Sequence, residues 1–196
     1  MSILSCELMM VLVIGTGCAD VATEPERVSV ALADDLARAP IEWAACPEGF
    51  TSECAWVATP IDHENPSAGA LPIFVARHPA ASGNATAQLW LLQGGPGASA
   101  DAFRPMLERM LPGLLPQVDF FVLEHRGVGE SARLECPPQE GLQSDGGATI
   151  TRDEMPACIK ALEWQWGERL DQFRTSADAD DLANLIERTR EPGQNS

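Results

Sequence analysis

Two stretches of the chain are almost continuously apolar, Ala87–Leu92 and Val118–Leu123. Unbroken apolar runs of this length are typical of strands that are covered on both faces of a sheet. Between them, apolar side chains recur at helical spacing, with Asp101 as a cap and Pro112-Gly113 as a stop. The pattern therefore predicts a β-α-β unit with parallel strands and a right-handed crossover. The apolar positions of its helix are Phe103, Met106, Leu107, Met110 and Leu111.

Shorter elements flank this unit. Residues 54–60 and 71–77 are predicted to form an antiparallel ribbon, joined by a turn rich in Asn65, Pro66 and Gly69. A turn-rich segment, 134–153, then precedes two amphipathic helices. The predicted fold class is therefore α/β, an antiparallel ribbon followed by parallel strands with flanking helices. One helix presents Met155, Cys158, Ile159, Leu162 and Trp166; the other, capped by Thr175 or Ser176, presents Leu182, Leu185, Ile186 and Thr189.

The turn after the first apolar run is made largely of glycine, with the sequence Gln93-Gly94-Gly95-Pro96-Gly97. Glycine allows backbone angles that side chains forbid and lets another oxygen approach the main chain closely. Because Pro96 has no N–H, the backbone donors of this turn are Gly94, Gly95 and Gly97. Such donors bind a phosphate or stabilise the oxyanion of an acyl-transfer intermediate. The glycine motifs of phosphate and dinucleotide sites do not occur here, which favours the oxyanion.

A second glycine-rich turn, Glu124-His125-Arg126-Gly127-Val128-Gly129-Glu130-Ser131, follows the second apolar run. A GGPG turn after one buried strand and an R-G-x-G-x-S turn after the next resemble the α/β-hydrolases of the proline iminopeptidase and tripeptidyl aminopeptidase family. The family usually carries Asp where this chain has Glu124. The flanking residues that also agree with the family are Trp43, Cys46-Pro47, Glu53-Cys54-Ala55, Thr59-Pro60-Ile61-Asp62, Pro66, Gly69 and Ala76-Arg77.

The resemblance implies that residues 43–196 are the N-terminal half of an α/β-hydrolase sheet. The whole protein would be a serine peptidase that releases residues or short peptides from peptide N-termini, with no cofactor. The first turn would supply an oxyanion donor, best placed at the N–H of Gly95, beside Gly94 and Gly97. In the family a central strand and the G-x-S-x-G nucleophile turn follow, about ten residues beyond the end of this chain. The structural turn would contain Arg126, Gly127 and Gly129.

The chain contains no G-x-S-x-G, since Gly97-Ala98-Ser99-Ala100-Asp101 lacks the second glycine. Its histidines, His63, His78 and His125, are predicted to be structural or exposed. A Ser–His–acid site needs its three members within hydrogen-bond reach, so the chain alone is predicted to be inactive. The alternatives are a non-catalytic envelope protein, a half-enzyme that assembles with a separate C-terminal part, and an esterase of the same fold.

The composition and net charge of the chain limit the classes of partner that it is expected to bind. The 196-residue chain is 45% hydrophobic and carries a net charge of −16, which disfavours nucleic acid and anionic membrane surfaces. The apolar run 8–17 is too short to span a bilayer and is typical of a secretory signal. Residues 1–18 are therefore predicted to be an export leader and 19–42 a tether, with Cys18 as a candidate for lipid attachment to a membrane. The alternatives are a misassigned start codon and a short buried segment.

Four cysteines lie outside the leader, and an even number in an exported chain predicts disulfides. The near pair, Cys46 and Cys54, would close a short loop, and the far pair, Cys136 and Cys158, would tie the segment after the second glycine-rich turn to a helix. Zinc is disfavoured because no C-x-x-C and no suitably placed histidine occur. Three acidic residues are interpreted as a helix start rather than as metal ligands: Asp178, Asp180 and Asp181.

Overall fold

The computed structural model describes residues 39–46, 52–94, 97–145, 147 and 149–195. The predicted leader 1–18, Cys18 and most of the predicted tether 19–42 lie outside these residues. The described part is an α/β arrangement in which a five-stranded mixed sheet is followed by two C-terminal helices.

Five strands form the sheet: β1 (Ala44–Ala45), β2 (Glu53–Pro60), β3 (Ala70–His78), β4 (Ala87–Leu92) and β5 (Val118–Leu123). Their spatial order is β1-β2-β3-β5-β4. All neighbouring pairs are antiparallel except β4 and β5, which are parallel. The predicted antiparallel ribbon is therefore confirmed as β2 and β3, and the predicted parallel strands are confirmed as β4 and β5.

The α-helices of the described residues are α1 (Arg104–Arg109), α2 (Leu111–Leu114), α3 (Met155–Trp166) and α4 (Thr175–Thr189). The prediction of one helix between β4 and β5 was wrong in detail. A 3-10 turn comes first, and Phe103 rather than Asp101 occupies the N-cap position of α1. Pro112 does not end the helical segment, because it lies in the first turn of α2, where no N–H is needed.

The core lies on both faces of β3 and β5, at the centre of the sheet. On one face, Phe74 and Phe120 pack in a cluster with Leu107 of α1. On the other, Val75 and Phe121 pack in a cluster with Leu185 of α4. Successive side chains of a strand point to opposite faces, so a strand covered on both sides needs an unbroken apolar run. Residues 120–123 of β5, which follow Asp119, satisfy this condition.

Two apolar faces are less buried than predicted. Leu89 and Leu92 of β4 are 39% and 41% exposed, because β4 is the edge strand of the described sheet. In α3, Cys158 is buried, whereas Met155 and Ile159 are exposed, so the predicted packing face is only partly covered. The last helix matches its prediction better, since Leu185 is fully buried; however, α4 has Arg174 at its N-cap position instead of Thr175 or Ser176.

Both predicted disulfides are present, Cys46–Cys54 and Cys136–Cys158. The first lies where β1 meets β2, and the second joins the segment after the second glycine-rich turn to α3. Disulfides persist in oxidising environments, so the pair indicates an extracytoplasmic location. None of the helices in the described ranges has the length and apolar character that a membrane crossing requires.

We expect the two disulfides to differ in their contributions to stability. They span 8 and 22 residues, and loop-closure entropy then gives about 2.5 and about 3.4 kcal/mol. Urea unfolding of the oxidised protein should therefore show a larger loss for the Cys136→Ser/Cys158→Ser variant than for Cys46→Ser/Cys54→Ser. A larger loss from the near pair would contradict this expectation.

Candidate functional site

The two glycine-rich turns lie side by side because β4 and β5 are parallel neighbours. Leu92 and Leu123 are register partners, so both strands end at the same edge of the sheet. The carboxyl edge of parallel strands is where open α/β sheets bind ligands. Of the predicted oxyanion donors, Gly94 and Gly97 lie at this edge, whereas Gly95 lies outside the described residues.

A buried glutamate links the two turns. Glu124 follows β5 directly and is 2% exposed. Its Oε1 accepts a hydrogen bond from Ser99 Oγ at 2.7 Å and another from the N–H of Ala100 at 3.0 Å. The sequence marked Glu124 only as a departure from the Asp of the family. The available signal was a carboxylate placed immediately after a buried apolar run.

Gly129 is required by the position of that carboxylate. Its φ is +55°, and a Cβ at this position would overlap the Glu124 side chain. Gly127 has φ of +86°, and a Cβ there would lie 3.2 Å from the ring of Phe173. Both glycines therefore allow a conformation and a close approach that other residues disfavour. The positive φ and the close contacts at Gly127 and Gly129 are the physical basis of the predicted structural turn.

The hydroxyl of Ser131 fastens the second turn to β3. Ser131 Oγ accepts a hydrogen bond from the N–H of Phe74 at 2.9 Å and donates one to the carbonyl of Glu124 at 2.7 Å. Ser131 is buried, and both of these contacts are to backbone groups. The serine of the R-G-x-G-x-S pattern is therefore structural in this chain.

Arg126 is the most connected side chain of the site. Its guanidinium forms a two-pronged ion pair with Asp181, with nitrogen–oxygen distances of 2.8 and 2.7 Å. It also donates to the backbone carbonyls of Pro60, Ile61 and Gln172. The Arg126 side chain has no exposed surface. A planar guanidinium offers five donors in a fixed geometry, and here they join the turn to the end of β2 and to α4.

The acidic residues of α4 do more than begin a helix. Asp181 is 1% exposed and pairs with Arg126, and Asp178 accepts a hydrogen bond from the backbone N–H of Arg126 at 3.2 Å. Asp181 also accepts a hydrogen bond from His63 Nε2 at 2.8 Å. In the part of the chain that the structure describes, no cluster of three or more His, Cys, Asp or Glu could hold a metal ion.

His125 lies between the two turns and α4. Its Nδ1 is 3.6 Å from Asp178 Oδ1, which is an ion-pair distance rather than a hydrogen bond. The Asp178 carboxylate is the main cause that raises the pKa of His125 above its ordinary value of 6.5, and partial burial opposes it. The structural role predicted for His125 therefore involves a specific partner, Asp178.

A cleft of about 370 Å³ opens between the turns. Arg133 and Glu140 form an ion pair in its wall at 3.2 Å. Glu140 also accepts a hydrogen bond from the N–H of Cys136, which places the second disulfide beside the cleft. The lining residues are Gly97, Ser99, Gly127, Val128, Gly129, Arg133, Leu134 and Glu140.

A larger groove, of about 680 Å³, lies elsewhere, along α3. Its described lining residues are Arg152, Met155, Pro156 and Ile159, which include no nucleophile, histidine or carboxylate. Catalysis needs such groups within reach of a substrate. The cleft between the glycine-rich turns is therefore the better candidate site.

Within the described ranges, no Ser–His–carboxylate triad is assembled at this cleft. The hydroxyl of Ser99 donates to Glu124 Oε1 at 2.7 Å. Ser52 Oγ does lie 2.9 Å from His78 Nδ1. However, His78 is the register partner of Phe120, near the start of β5, and so lies away from the edge that carries the turns.

Neither a scan against models of protein families nor a search of curated proteins found a match to this chain.

Replacing Gly129 with Ala is expected to destabilise the protein more than replacing Gly83, which also has a positive φ but nothing within 4 Å of an added Cβ. The conformational cost should be similar, about 1–2 kcal/mol in each case. Gly129→Ala must in addition displace the Glu124 carboxylate, at about 1–3 kcal/mol. Chemical unfolding of the two variants measures the difference, and equal losses would show that Glu124 is not held under Gly129.

Replacing Arg126 with Met should cost about 3–5 kcal/mol of unfolding free energy, because it leaves Asp181 buried without its partner. Arg133→Met is the matched control, since it breaks the more exposed pair with Glu140 and should cost less than about 1 kcal/mol. Denaturant titrations at one pH compare the two. If the Arg126 variant lost no more stability than the control, the central role assigned to this pair would be wrong.

Proposed function

We propose that residues 43–196 are the N-terminal part of an exported serine hydrolase of the α/β-hydrolase type. The reaction would be that of an aminopeptidase, which releases residues or short peptides from peptide N-termini through an acyl-enzyme. This chain would contribute the oxyanion loop and the turn that supports it. The nucleophile, the histidine and the acid would come from a C-terminal part.

The observation that carries the proposal is the junction of the two turns. The GGPG turn and the R-G-x-G-x-S turn follow parallel neighbouring strands, and the Glu124 carboxylate binds the far end of the first turn at Ser99 and Ala100. The far end of the first turn is thus bonded to the second turn beside the cleft. An oxyanion site needs rigid N–H donors that are oriented before the substrate arrives.

Among the described strands, β4 lies at the edge of the sheet, which supports the need for another strand. Asn195 forms a parallel bridge with Ala87: its N–H donates to the carbonyl of Thr86 at 3.0 Å, and its carbonyl accepts from the N–H of Gln88 at 2.7 Å. Strand residues two apart face the same way, so the backbone groups of Trp90 and Leu92 face this same open edge. A strand running on from Asn195 in this register would cover them.

Such a strand would bring a nucleophile to the site. From Ala87 to Leu92 is five steps along β4, so five residues beyond Asn195 would reach the carboxyl edge. A sharp turn there would lie beside Gly94 and Gly97. In α/β-hydrolases a turn of this kind, G-x-S-x-G, carries the serine.

The chemistry would follow the serine hydrolase pattern. The serine oxygen attacks the peptide carbonyl while its proton passes to the histidine, and negative charge develops on the carbonyl oxygen. An N–H of the loop, best placed at Gly95 beside Gly94 and Gly97, donates to that oxygen. The intermediate then expels the shortened peptide as an amine, which takes the proton, and water hydrolyses the acyl-enzyme.

Export is part of the proposal. The two disulfides support an oxidising compartment, and the apolar run 8–17 supports a secretory leader. The protein would act in the periplasm, in the cell envelope or outside the cell, with Cys18 as a candidate for lipid attachment.

A non-catalytic scaffold is the second candidate function, favoured by the lack of a triad among the described residues. An esterase would share the same loop.

The decisive experiment adds the missing part. The full chain alone should release no p-nitroaniline from alanyl or tripeptidyl p-nitroanilides. The product of the reading frame that follows the codon for Ser196, expressed separately and mixed with this chain, should restore release. A fluorophosphonate should then label a serine in the added part. His78→Gln is the matched control, because His78 lies away from the site, and its mixture should keep the activity.

The opposite results are equally informative. A mixture that forms a stable complex on a sizing column but takes up no fluorophosphonate would overturn the hydrolase proposal. A stop codon directly after Ser196, with an intact mass that matches, would favour the non-catalytic scaffold. Hydrolysis of esters without release from peptides would favour the esterase.

A further inference from the structure

A further cavity, of about 320 Å³, lies between β2 and the segment 39–42 that leads into β1. Ala44 of β1 is the register partner of Cys54 in β2. The same antiparallel register, continued past β1, would place Pro40 opposite Ala58. A proline has no N–H to donate to such a ladder, and β1 begins only at Ala44. The cavity is therefore a gap in the sheet, bordered by β2 on one side and by residues 39–42 on the other.

The main chain of β2 directs hydrogen-bonding groups into this gap. Ala58 is the register partner of Pro72, which has no N–H and whose carbonyl accepts from the N–H of Ala132. Ala58 therefore directs its own N–H and carbonyl away from β3. Strand residues two apart face the same way, so the N–H of Trp56 also points into the gap. The gap thus contains two main-chain N–H donors.

The guanidinium of Arg188, near the end of α4, spans the gap. Its Nη2 donates to the carbonyl of Ala39 at 2.8 Å, and its Nη1 donates to the carbonyl of Ala58 at 3.4 Å. A guanidinium has five N–H donors, so three remain beside the cavity. Within the described ranges no carboxylate forms an ion pair with Arg188, and burial lowers the pKa of its guanidinium. A partly buried cation that bonds only to neutral carbonyls would be stabilised by an anion.

We propose that the gap is a binding pocket for an organic carboxylate, whose oxygens pair with Arg188 and accept from the main-chain N–H groups of Trp56 and Ala58. The planar fork of a guanidinium matches the two oxygens of a carboxylate. Ile41 and Val57 also line the gap, and both pack with the core cluster on the α4 face of the sheet, so the hydrocarbon part of the ligand would contact them. The pocket uses no residue of the two glycine-rich turns, and the proposal therefore does not depend on the hydrolase function.

One charge at the gap opposes an anion. The exposed residue Glu42 also lines it. Ile41 and Trp43, on either side of Glu42, both pack on the α4 face. Because side chains alternate along an extended chain, Glu42 is directed to the other face, away from Arg188. Its repulsion of a bound carboxylate is therefore that of a solvent-exposed charge, which salt screens.

Nuclear magnetic resonance of the isotope-labelled full chain, titrated with isobutyrate, tests the proposal. The amide signals of Trp56 and Ala58 and the Nε–H signal of Arg188 should move along one saturable curve. Isobutyramide has the same shape without the charge and should not move them. In Arg188→Gln the Kd should rise at least about tenfold, because a hydrogen-bonded charge pair is lost. The exposed Arg169→Gln is the matched control and should leave the Kd unchanged, whereas Glu42→Gln should lower it.

Two results in the unmodified chain would overturn the proposal, and neither needs a variant to fold. One is that isobutyrate leaves the signals of Trp56, Ala58 and Arg188 unmoved. The other is that isobutyramide or sodium sulfate moves them as much as isobutyrate does. If isobutyrate binds, acetyl-alanyl-alanine identifies the source of the carboxylate. Tighter binding of this peptide than of isobutyrate would assign the pocket to the C-termini of peptides, and weaker binding would assign it to small free acids.

Discussion

The buried ion pair between Arg126 and Asp181 joins three parts of the chain that are distant in sequence. The guanidinium comes from the turn after β5, the carboxylate comes from α4, and the carbonyls of Pro60 and Ile61 come from the end of β2. Removing one member of such a pair leaves an uncompensated charge in the interior, which costs several kcal/mol. The turn, the ribbon and the last helix therefore keep one relative position.

Because the second turn has a fixed position, three of its consecutive residues contact three different parts of the structure. Glu124 binds the first turn at Ser99 and Ala100, His125 faces Asp178, and Arg126 is directed to Asp181. Gly129 provides the space in which the Glu124 carboxylate lies. The far end of the first glycine-rich turn, at Ser99 and Ala100, is thus bonded to the Glu124 side chain of the second turn.

The two edges of the described sheet differ in how they are protected. At one edge the short β1 is joined to β2 by the Cys46–Cys54 disulfide. At the other edge, β4 exposes Leu89 and Leu92 and pairs beyond β5 only at its first residues, with Asn195. An exposed apolar edge strand is prone to pairing with another strand. The exposed edge of β4 also lies beside the candidate site, and we therefore propose that a strand pairing there would complete the site.

The strands β2 to β5, the parallel pair, the presence of disulfides and the two glycine-rich turns could be predicted from the sequence. These features depend on local periods, on the parity of cysteines and on the backbone freedom of glycine, all of which can be inferred along the chain. The interrupted helix before β5 could not be predicted, because a proline is compatible with either the end of one helix or the first turn of the next. The partners of Glu124, His125 and Asp181 were decided only by the tertiary structure, since a charged side chain carries no local signal that specifies which distant group it will meet.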